Sequence, residues 1–571
     1  MTDPWSTLAD KEYDLVVVGC GIFGACAAWE AASRGLTTVL LERGDFGEAA
    51  SANSYKFVHG GIRYLARLNL TQLRASSRER STLLRIAPHL VVPRSVMMPT
   101  YGIGAQGKTA LRAGFAAYDL LTTGRNRGIT DPSRRIPPAH FLTRSETLAE
   151  FPALPAAGLT GAAVFADAQV YSTPRLTLGF VHSASASGVA ALNYAEVAGF
   201  LGDRSRVRGV VVTDRRSGGR HAIRSRMVLN AAGAWAAGLL QRGLGIDLGA
   251  HAPLFSRDVA FVTPRRVSER MGLACPTSGR DANAVVDRGG RHLFFVPWRD
   301  YTLVGVWHGV HRATADEVRV PLEELAALVE DANRAYAGLN LRPDDVSLVN
   351  AGLVLFGSAG NARETHDFGK RSLLIDHRNA HGLDGLVTLV GFRATVARST
   401  AVAALEPIAA RLGRGGARRP TESIAIHGGD VADFEALVGE IGERLPARAR
   451  AASRPLAHNH GSRYRDVLAC AEDDSSLAAL LPGTRVLGAE VAHAARHEWA
   501  RTLADVVLRR TDLGTAADPG APALLACATI LERELGWSRS RRDAEIAAVT
   551  QFFRHRGADR TFGLTTPATH E

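Results

Sequence analysis

Six consecutive residues constrain this chain more than any others: Gly19-Cys20-Gly21-Ile22-Phe23-Gly24. They follow an apolar run, Tyr13 to Val18, and open an Ala-rich stretch, Ile22 to Arg34, that Gly35 closes. A second apolar run, Thr37 to Leu41, ends on Glu42. Strand, glycine turn, helix and second strand fit within about 30 residues, the length of one β–α–β unit. Gly19 permits the tight turn, Gly21 lets the backbone approach a pyrophosphate, and Gly24 lets the helix pack close to the sheet. The helix N-terminus offers N–H groups and a partial positive charge to phosphates. Glu42 is placed to accept hydrogen bonds from an adenosine ribose. These residues predict a dinucleotide-binding fold, with Ile22, Phe23 and Arg43 as further contacts.

A second element narrows the cofactor. Asn230-Ala231-Ala232-Gly233-Ala234-Trp235 follows the apolar run Met227–Leu229. Small residues at a strand end let an extended cofactor lie against backbone, which points to FAD and makes Ala232, Gly233 and Trp235 candidate contacts. Further strand-like runs occur at Gly209–Thr213, Leu293–Pro297 and Thr302–Val306. The last two flank the turn Trp298-Arg299-Asp300-Tyr301 and predict a hairpin of an inserted antiparallel sheet. A Gly- and Arg-rich stretch ending at Pro420 reads as a linker. Beyond it the pattern is helical, with one helix expected from about Ala489 through Leu508. The expected fold class is α/β: a Rossmann-like FAD-binding domain with an inserted antiparallel-sheet substrate domain, then an all-α cap. In numbers, residues 1–415 hold the FAD-binding segments (about 12–90, 190–250 and 350–410) and the insert (about 91–189 and 251–349). Residues 416–571 form the cap.

Composition sets outer bounds. With 571 residues, 46% of them hydrophobic, a large core forms without staples. The net charge of +11 suits an anionic substrate or a membrane surface. Arg is scattered and no zinc-finger or RNP-like motif occurs, so nucleic acid is not an expected partner. Five cysteines without paired spacing read as reduced thiols, and no metal is expected. Met1 to Lys11 lacks a secretion pattern, and no run approaches the roughly 18 apolar residues of a spanning helix. The expected location is cytoplasmic, with peripheral contact on the inner face of the cell membrane left open.

The segment Ser51-Ala52-Asn53-Ser54-Tyr55-Lys56-Phe57-Val58-His59-Gly60-Gly61-Ile62-Arg63-Tyr64-Leu65 carries a family resemblance. It resembles the stretch after the nucleotide unit in FAD-dependent glycerol-3-phosphate dehydrogenases, within the D-amino-acid-oxidase-like flavoproteins. The likeness extends through Phe294-Phe295-Val296-Pro297-Trp298 to His497-Glu498-Trp499-Ala500 in the tail. The resemblance implies that Ser51, Ser54, Lys56, Gly60 and Gly61 lie along FAD, as do Val197, Gly391, Arg393, Ala394 and Thr395. It also implies that His59, Arg63 and Tyr64 reach flavin and substrate. His59 then serves as base or as a packed imidazole. Arg63 suits a phosphate bidentately.

Three stretches depart from the family. Gly305-Val306-Trp307-His308 stands where relatives have Gly-Thr-Thr-Asp. Ala351-Gly352-Leu353-Val354-Leu355-Phe356 replaces Ser-Gly-x-Arg-Pro-Leu and removes a cation. Gly391-Phe392-Arg393-Ala394-Thr395-Val396-Ala397-Arg398 replaces Gly-Gly-Lys-x-Thr-Thr-Tyr-Arg. Bulk is expected in the pocket at Trp307 and Phe392, and His308 and Arg393 join the catalytic candidates. The implied activity is oxidation of sn-glycerol 3-phosphate by hydride transfer to flavin, with quinone or oxygen as acceptor. A larger or uncharged substrate is the alternative, and a catalytically idle flavin-binding protein the third. A homodimer and a membrane-facing helix near Lys108 to Tyr118 are compatible with the family.

Overall fold

The computed structural model describes residues 4–65, 69–102, 108–276, 292–359, 371–414, 419–472 and 474–561. The strand Glu12–Val18 lies at the centre of a parallel sheet, between Arg220–Asn230 and Thr38–Leu41. Leu386–Val390 extends the sheet on one side and Ala190–Leu192 on the other, both parallel. Antiparallel strands complete it, Leu373–Asp376 at one edge and the ribbon Ala195–Gly202 and Val207–Asp214 beside Arg220–Asn230. The inner strands are buried on both faces, which is why they read as continuous apolar runs. Helix Ile22–Ser33 fills one face and is itself covered by helices Thr173–Ala186 and Ala397–Arg411. Its alanines at 25, 27, 28 and 31 are fully buried and set that close spacing. The helix and strand limits sit within a residue or two of the sequence expectation for the first β–α–β unit.

A second, nine-stranded sheet runs Leu348–Ser358, Pro253–Thr263, Tyr301–Val310, His292–Trp298, Gly272–Pro276, Val91–Tyr101, Leu159–Val170 and Phe57–Val58. His140–Leu142 pairs beside Leu159–Val170. The expected hairpin is present: Trp298 pairs with Tyr301 across a two-residue turn in which Arg299 takes φ +55°. Three segments lie elsewhere than the sequence boundaries placed them, the first being strand Phe57–Val58, which joins this second sheet. Strand Leu348–Ser358 is an edge of this second sheet, antiparallel to Pro253–Thr263, rather than part of the nucleotide fold. Helix Thr173–Ala186, placed with the insert, packs on Ile22–Ser33 instead.

The C-terminal region is helical, from Phe434–Arg444 to Arg539–Arg554. Its core is continuous with Val262, Trp298, Leu303 and Leu348 of the second sheet. The single helix expected from Ala489 to Leu508 is broken. Helix Gly488–His497 ends, Trp499 takes φ +57°, and Thr502 caps a new turn at Leu503–Asp505 that runs into a π-turn, Val506–Arg510. The break turns Arg509 and Arg510 inward onto Asp45 of the nucleotide domain.

Candidate active site

At the nucleotide end, Gly19 follows the central strand with φ +93°, a backbone that L side chains avoid. A Cβ there would lie 2.8 Å from both the Ala231 carbonyl oxygen and the Ala232 Cα. The predicted glycine turn therefore abuts the predicted Ala231-Ala232 strand end. A Cβ on Gly24 would come within 1.9 Å of the Gly19 oxygen, the close helix-to-turn packing expected of that position. The Ile22 N–H donates to Ser51 Oγ at 2.9 Å, so the serine run folds back onto the helix start. Glu42 accepts from the Cys20 N–H at 2.7 Å and the Gly44 N–H at 3.0 Å. Burial pushes its carboxyl up, against these two donors.

One cavity of about 1030 Å³ joins this end to the chemistry end. That is at the upper limit of the roughly 300–1,000 Å³ usual for small-molecule sites, room for a dinucleotide and a substrate together. Gly19, Gly21, Ile22, Phe23, Glu42 and Arg43 line it, with Ser51, Ser54 and Val197. So do Ala232, Gly233, Trp235, Gly391, Ala394 and Thr395. Arg43 stacks 4.3 Å from the Trp235 ring centre, and both side chains bind Asp316 Oδ1 at 2.8 Å. Asp316 was invisible to motif reading.

At the other end His59, Gly61, His308 and Arg393 line the same cavity. His59 Nδ1 lies 3.1 Å from Asp167 Oδ2. Asp167 also accepts from the Gly60 N–H at 2.7 Å and from Arg80 Nη1 at 2.6 Å. Burial alone would raise the Asp167 carboxyl; the hydrogen bond from His59 and the Arg80 charge outweigh it and hold it below the usual range. Asp167 is thus an ionised anchor for His59, and the sequence reading missed it. Gly60 does not itself line the cavity: a Cβ there would sit 2.2 Å from Arg80 Nη1, so it is the seat of that anchor.

A second pair faces the cavity from the antiparallel sheet. His308 Nδ1 is 2.7 Å from Asp258 Oδ1, which also accepts from Ser256 Oγ at 2.7 Å. Arg393 Nη1 donates to the Tyr64 hydroxyl at 2.6 Å and stacks 4.6 Å over Phe392. Val354 and Phe356 pack on Phe392, and Val354 and Phe392 present an apolar wall to the cavity.

Two expectations need correction. Lys56 does not run along the cavity: at φ +60° its buried chain turns away, Nζ donating to Asn350 Oδ1 at 3.2 Å beside Trp298. Trp307 adds no bulk to the pocket. Alternation along its strand sends Val306 and His308 to the cavity and Trp307 to the opposite face, where it stacks on Phe261 and donates to Asp331 at 2.8 Å. The side chain of Arg63 lies outside the described residues; its backbone is in the short helix Ile62–Leu65.

The profile of the family described as FAD dependent oxidoreductase matches residues 14–405. The chain belongs to the FAD-dependent oxidoreductase family. A second profile, the C-terminal domain of alpha-glycerophosphate oxidase, matches residues 419–542, the helical cap. Among curated proteins this flavoprotein is similar to the glycerol-3-phosphate dehydrogenase of Synechocystis sp., 28% identical over 94% of this chain and 96% of that one. It is likewise similar to mouse mitochondrial glycerol-3-phosphate dehydrogenase, 28% identical over 95% of this chain and 73% of the other. The structure of the Bacillus halodurans glycerol-3-phosphate dehydrogenase complexed with FAD shares the fold, with a TM-score of 0.72 over 98% of both chains at 22% identity. The chain is thus placed in the FAD-dependent glycerol-3-phosphate dehydrogenase family. Its cofactor is FAD. The glycine cradle, with no space for a Cβ at Gly19, fits that group.

Proposed function

We propose that this flavoprotein oxidises a hydroxyl-bearing carbon, with His59 as the base, and that sn-glycerol 3-phosphate is the substrate to test first. The His59–Asp167 pair at the cavity carries the reading. Bound FAD would accept the hydride. The ionised Asp167 accepts from Nδ1–H, which leaves Nε2 of His59 as the nitrogen able to take the hydroxyl proton. Arg80 keeps Asp167 charged as His59 becomes an imidazolium, so the developing positive charge has a fixed counter-ion. Arg393 lines the cavity, held by its hydrogen bond to the Tyr64 hydroxyl, and can orient an anionic substrate, while Tyr64 itself does not line the cavity. The electrons then pass to a quinone or to oxygen.

The apolar wall of Val354 and Phe392 favours a second reading, an alcohol with a larger, less charged body. The ordered His59–Asp167 pair argues against an idle binding protein. Anaerobic mixing with sn-glycerol 3-phosphate decides between them. Prompt bleaching of the flavin absorbance is expected on the first reading. Bleaching only by bulkier alcohols establishes the second, and no bleaching by any alcohol, with FAD bound, defeats both. Val354→Arg restores a cation at the wall. On the first reading it raises kcat/KM for the phosphate ester by about 10- to 100-fold, the worth of one charge-assisted hydrogen bond of about 1.5–3 kcal/mol.

A further inference from the structure

Cys470, His493 and His497 meet in the helical cap, and none of them lines the cavity. Cys470 ends helix Tyr464–Ala469, which packs on helix Gly488–His497. His493 and His497 stand one turn apart on that second helix and therefore share a face. Cys470 Sγ lies 4.0 Å from His493 Nδ1, and one donor atom from each of the three lies within 4.8 Å of the others. Cys470 and His493 are buried while His497 is exposed, so the cluster opens to solvent on one side. The other nitrogen of His493, Nε2, faces Glu498 Oε1 at 3.7 Å.

We propose that Cys470, His493 and His497 bind a divalent cation of borderline softness, zinc by preference, with solvent as the fourth ligand. One thiolate and two imidazoles are the donors that select zinc over magnesium or calcium. Tetrahedral zinc, at about 2.3 Å from sulfur and 2.0–2.1 Å from nitrogen, spaces its ligands about 3.4–3.6 Å apart. From separations of up to 4.8 Å the donors must therefore close by up to about 1.4 Å, which side-chain rotation supplies. Glu498 stands behind His493 as the carboxylate that metal-bound histidines commonly engage through their second nitrogen. Glu534, bound to Arg496 through two contacts of 2.7 Å beside the cluster, offsets the guanidinium charge toward an incoming metal ion. The cation would pin the two helices together. It would do so at the end of the helix that Glu498 ties to Arg175 of the FAD-binding domain. Paired cysteine spacing, the usual sequence sign of zinc, is missing because the cysteine and histidines come from different helices.

The test uses the FAD-loaded protein, stripped with a chelator and titrated with Co²⁺. One equivalent should bind with the d–d bands of tetrahedral cobalt at red wavelengths, where oxidised flavin is transparent. A difference spectrum should show sulfur-to-cobalt charge transfer. Cys470→Ser should abolish the charge-transfer band. His497→Ala, an exposed change that leaves the fold and FAD content intact, should weaken Co²⁺ and Zn²⁺ binding at least tenfold. Absence of stoichiometric binding, or binding and spectra unchanged in both variants, overturns the proposal.

Discussion

At the residue scale, the proposed chemistry depends on a histidine whose partner is 108 positions away. If His59 is the base, His59→Gln keeps size and polarity but removes proton acceptance. The anaerobic rate of flavin reduction should then fall about 10²–10⁴-fold, with FAD still bound; a rate within threefold of wild type excludes the role. Asp258 and His308 form a comparable pair facing the same cavity, on adjacent strands Pro253–Thr263 and Tyr301–Val310. Motif comparison marked His308 because an aspartate was expected there, yet gave no hint of Asp258. The two meet only through the antiparallel register that sets Asp258 opposite His308. The same register explains Trp307: one step along a strand reverses the face, so a bulky residue next to a pocket residue contributes to the core instead.

At the element scale, the glycine turn and the cap helix give contrasting predictions. Gly19→Ala places a methyl 2.8 Å from backbone atoms of the neighbouring strand end, at a φ that disfavours any side chain. Neither the turn nor the strand end can yield cheaply, so the variant should purify with strongly reduced FAD, measured by absorbance ratio. In the cap, Glu490 accepts from the Leu487 N–H at 2.9 Å at the start of helix Gly488–His497. Burial, outweighing that hydrogen bond, pushes its carboxyl up to about 8. The unfolded group ionises near 4.3, so the folded state binds an extra proton between these values. Stability is lost as pH rises from about 4 to 8, and is constant above that. Glu490→Gln keeps the acceptor without the proton. It should raise Tm at pH 8 and leave it nearly unchanged at pH 4; an equal shift at both refutes the assignment.

At the scale of the whole molecule, the cap is fastened to the FAD-binding domain by buried charge. Asp45 accepts from Arg510 through contacts of 2.7 Å and also binds Arg509; Arg175 holds Glu498 at 2.7 Å. For Asp45 burial works toward a higher value, but Arg510 and Arg509 prevail and hold it below the ordinary carboxylate range. Glu498 is likewise depressed, Arg175 and the neighbouring histidines overcoming burial. Both shifts have the sign that stabilises the folded state above the unfolded values of about 3.9 and 4.3, and that contribution disappears as pH falls below them. Acid should therefore loosen cap docking. Limited proteolysis with an acid-active protease between about pH 5 and 2 should release the cap first, and a cap that stays protected throughout contradicts the account. Among the described residues no helix is long and apolar enough to cross a membrane. Helix Lys108–Leu121 does expose Leu120 and Arg112, an apolar and a basic side chain that suit a peripheral contact.

The turn that opens the chain shows what sequence alone decides. Gly24, Ser51 and Glu42 act on backbone atoms within about thirty residues of themselves, and Gly19 needs its positive φ for the turn itself, so spacing and residue type suffice to predict the nucleotide cradle. The run at 230–235 was legible for the same reason, since small residues at a strand end admit a ligand whatever surrounds them, whereas 391–395 was marked only by the family resemblance. Asp167, Asp258, Asp316 and the Asp45–Arg510 clasp were not legible. Each acts through a side chain whose partner lies between 50 and 465 positions away. Only strand register, sheet face and the break at Trp499 bring those groups together. A short-range backbone requirement leaves its mark in local sequence; the ionised partners that tune a site are assembled by tertiary contacts, which no local pattern encodes.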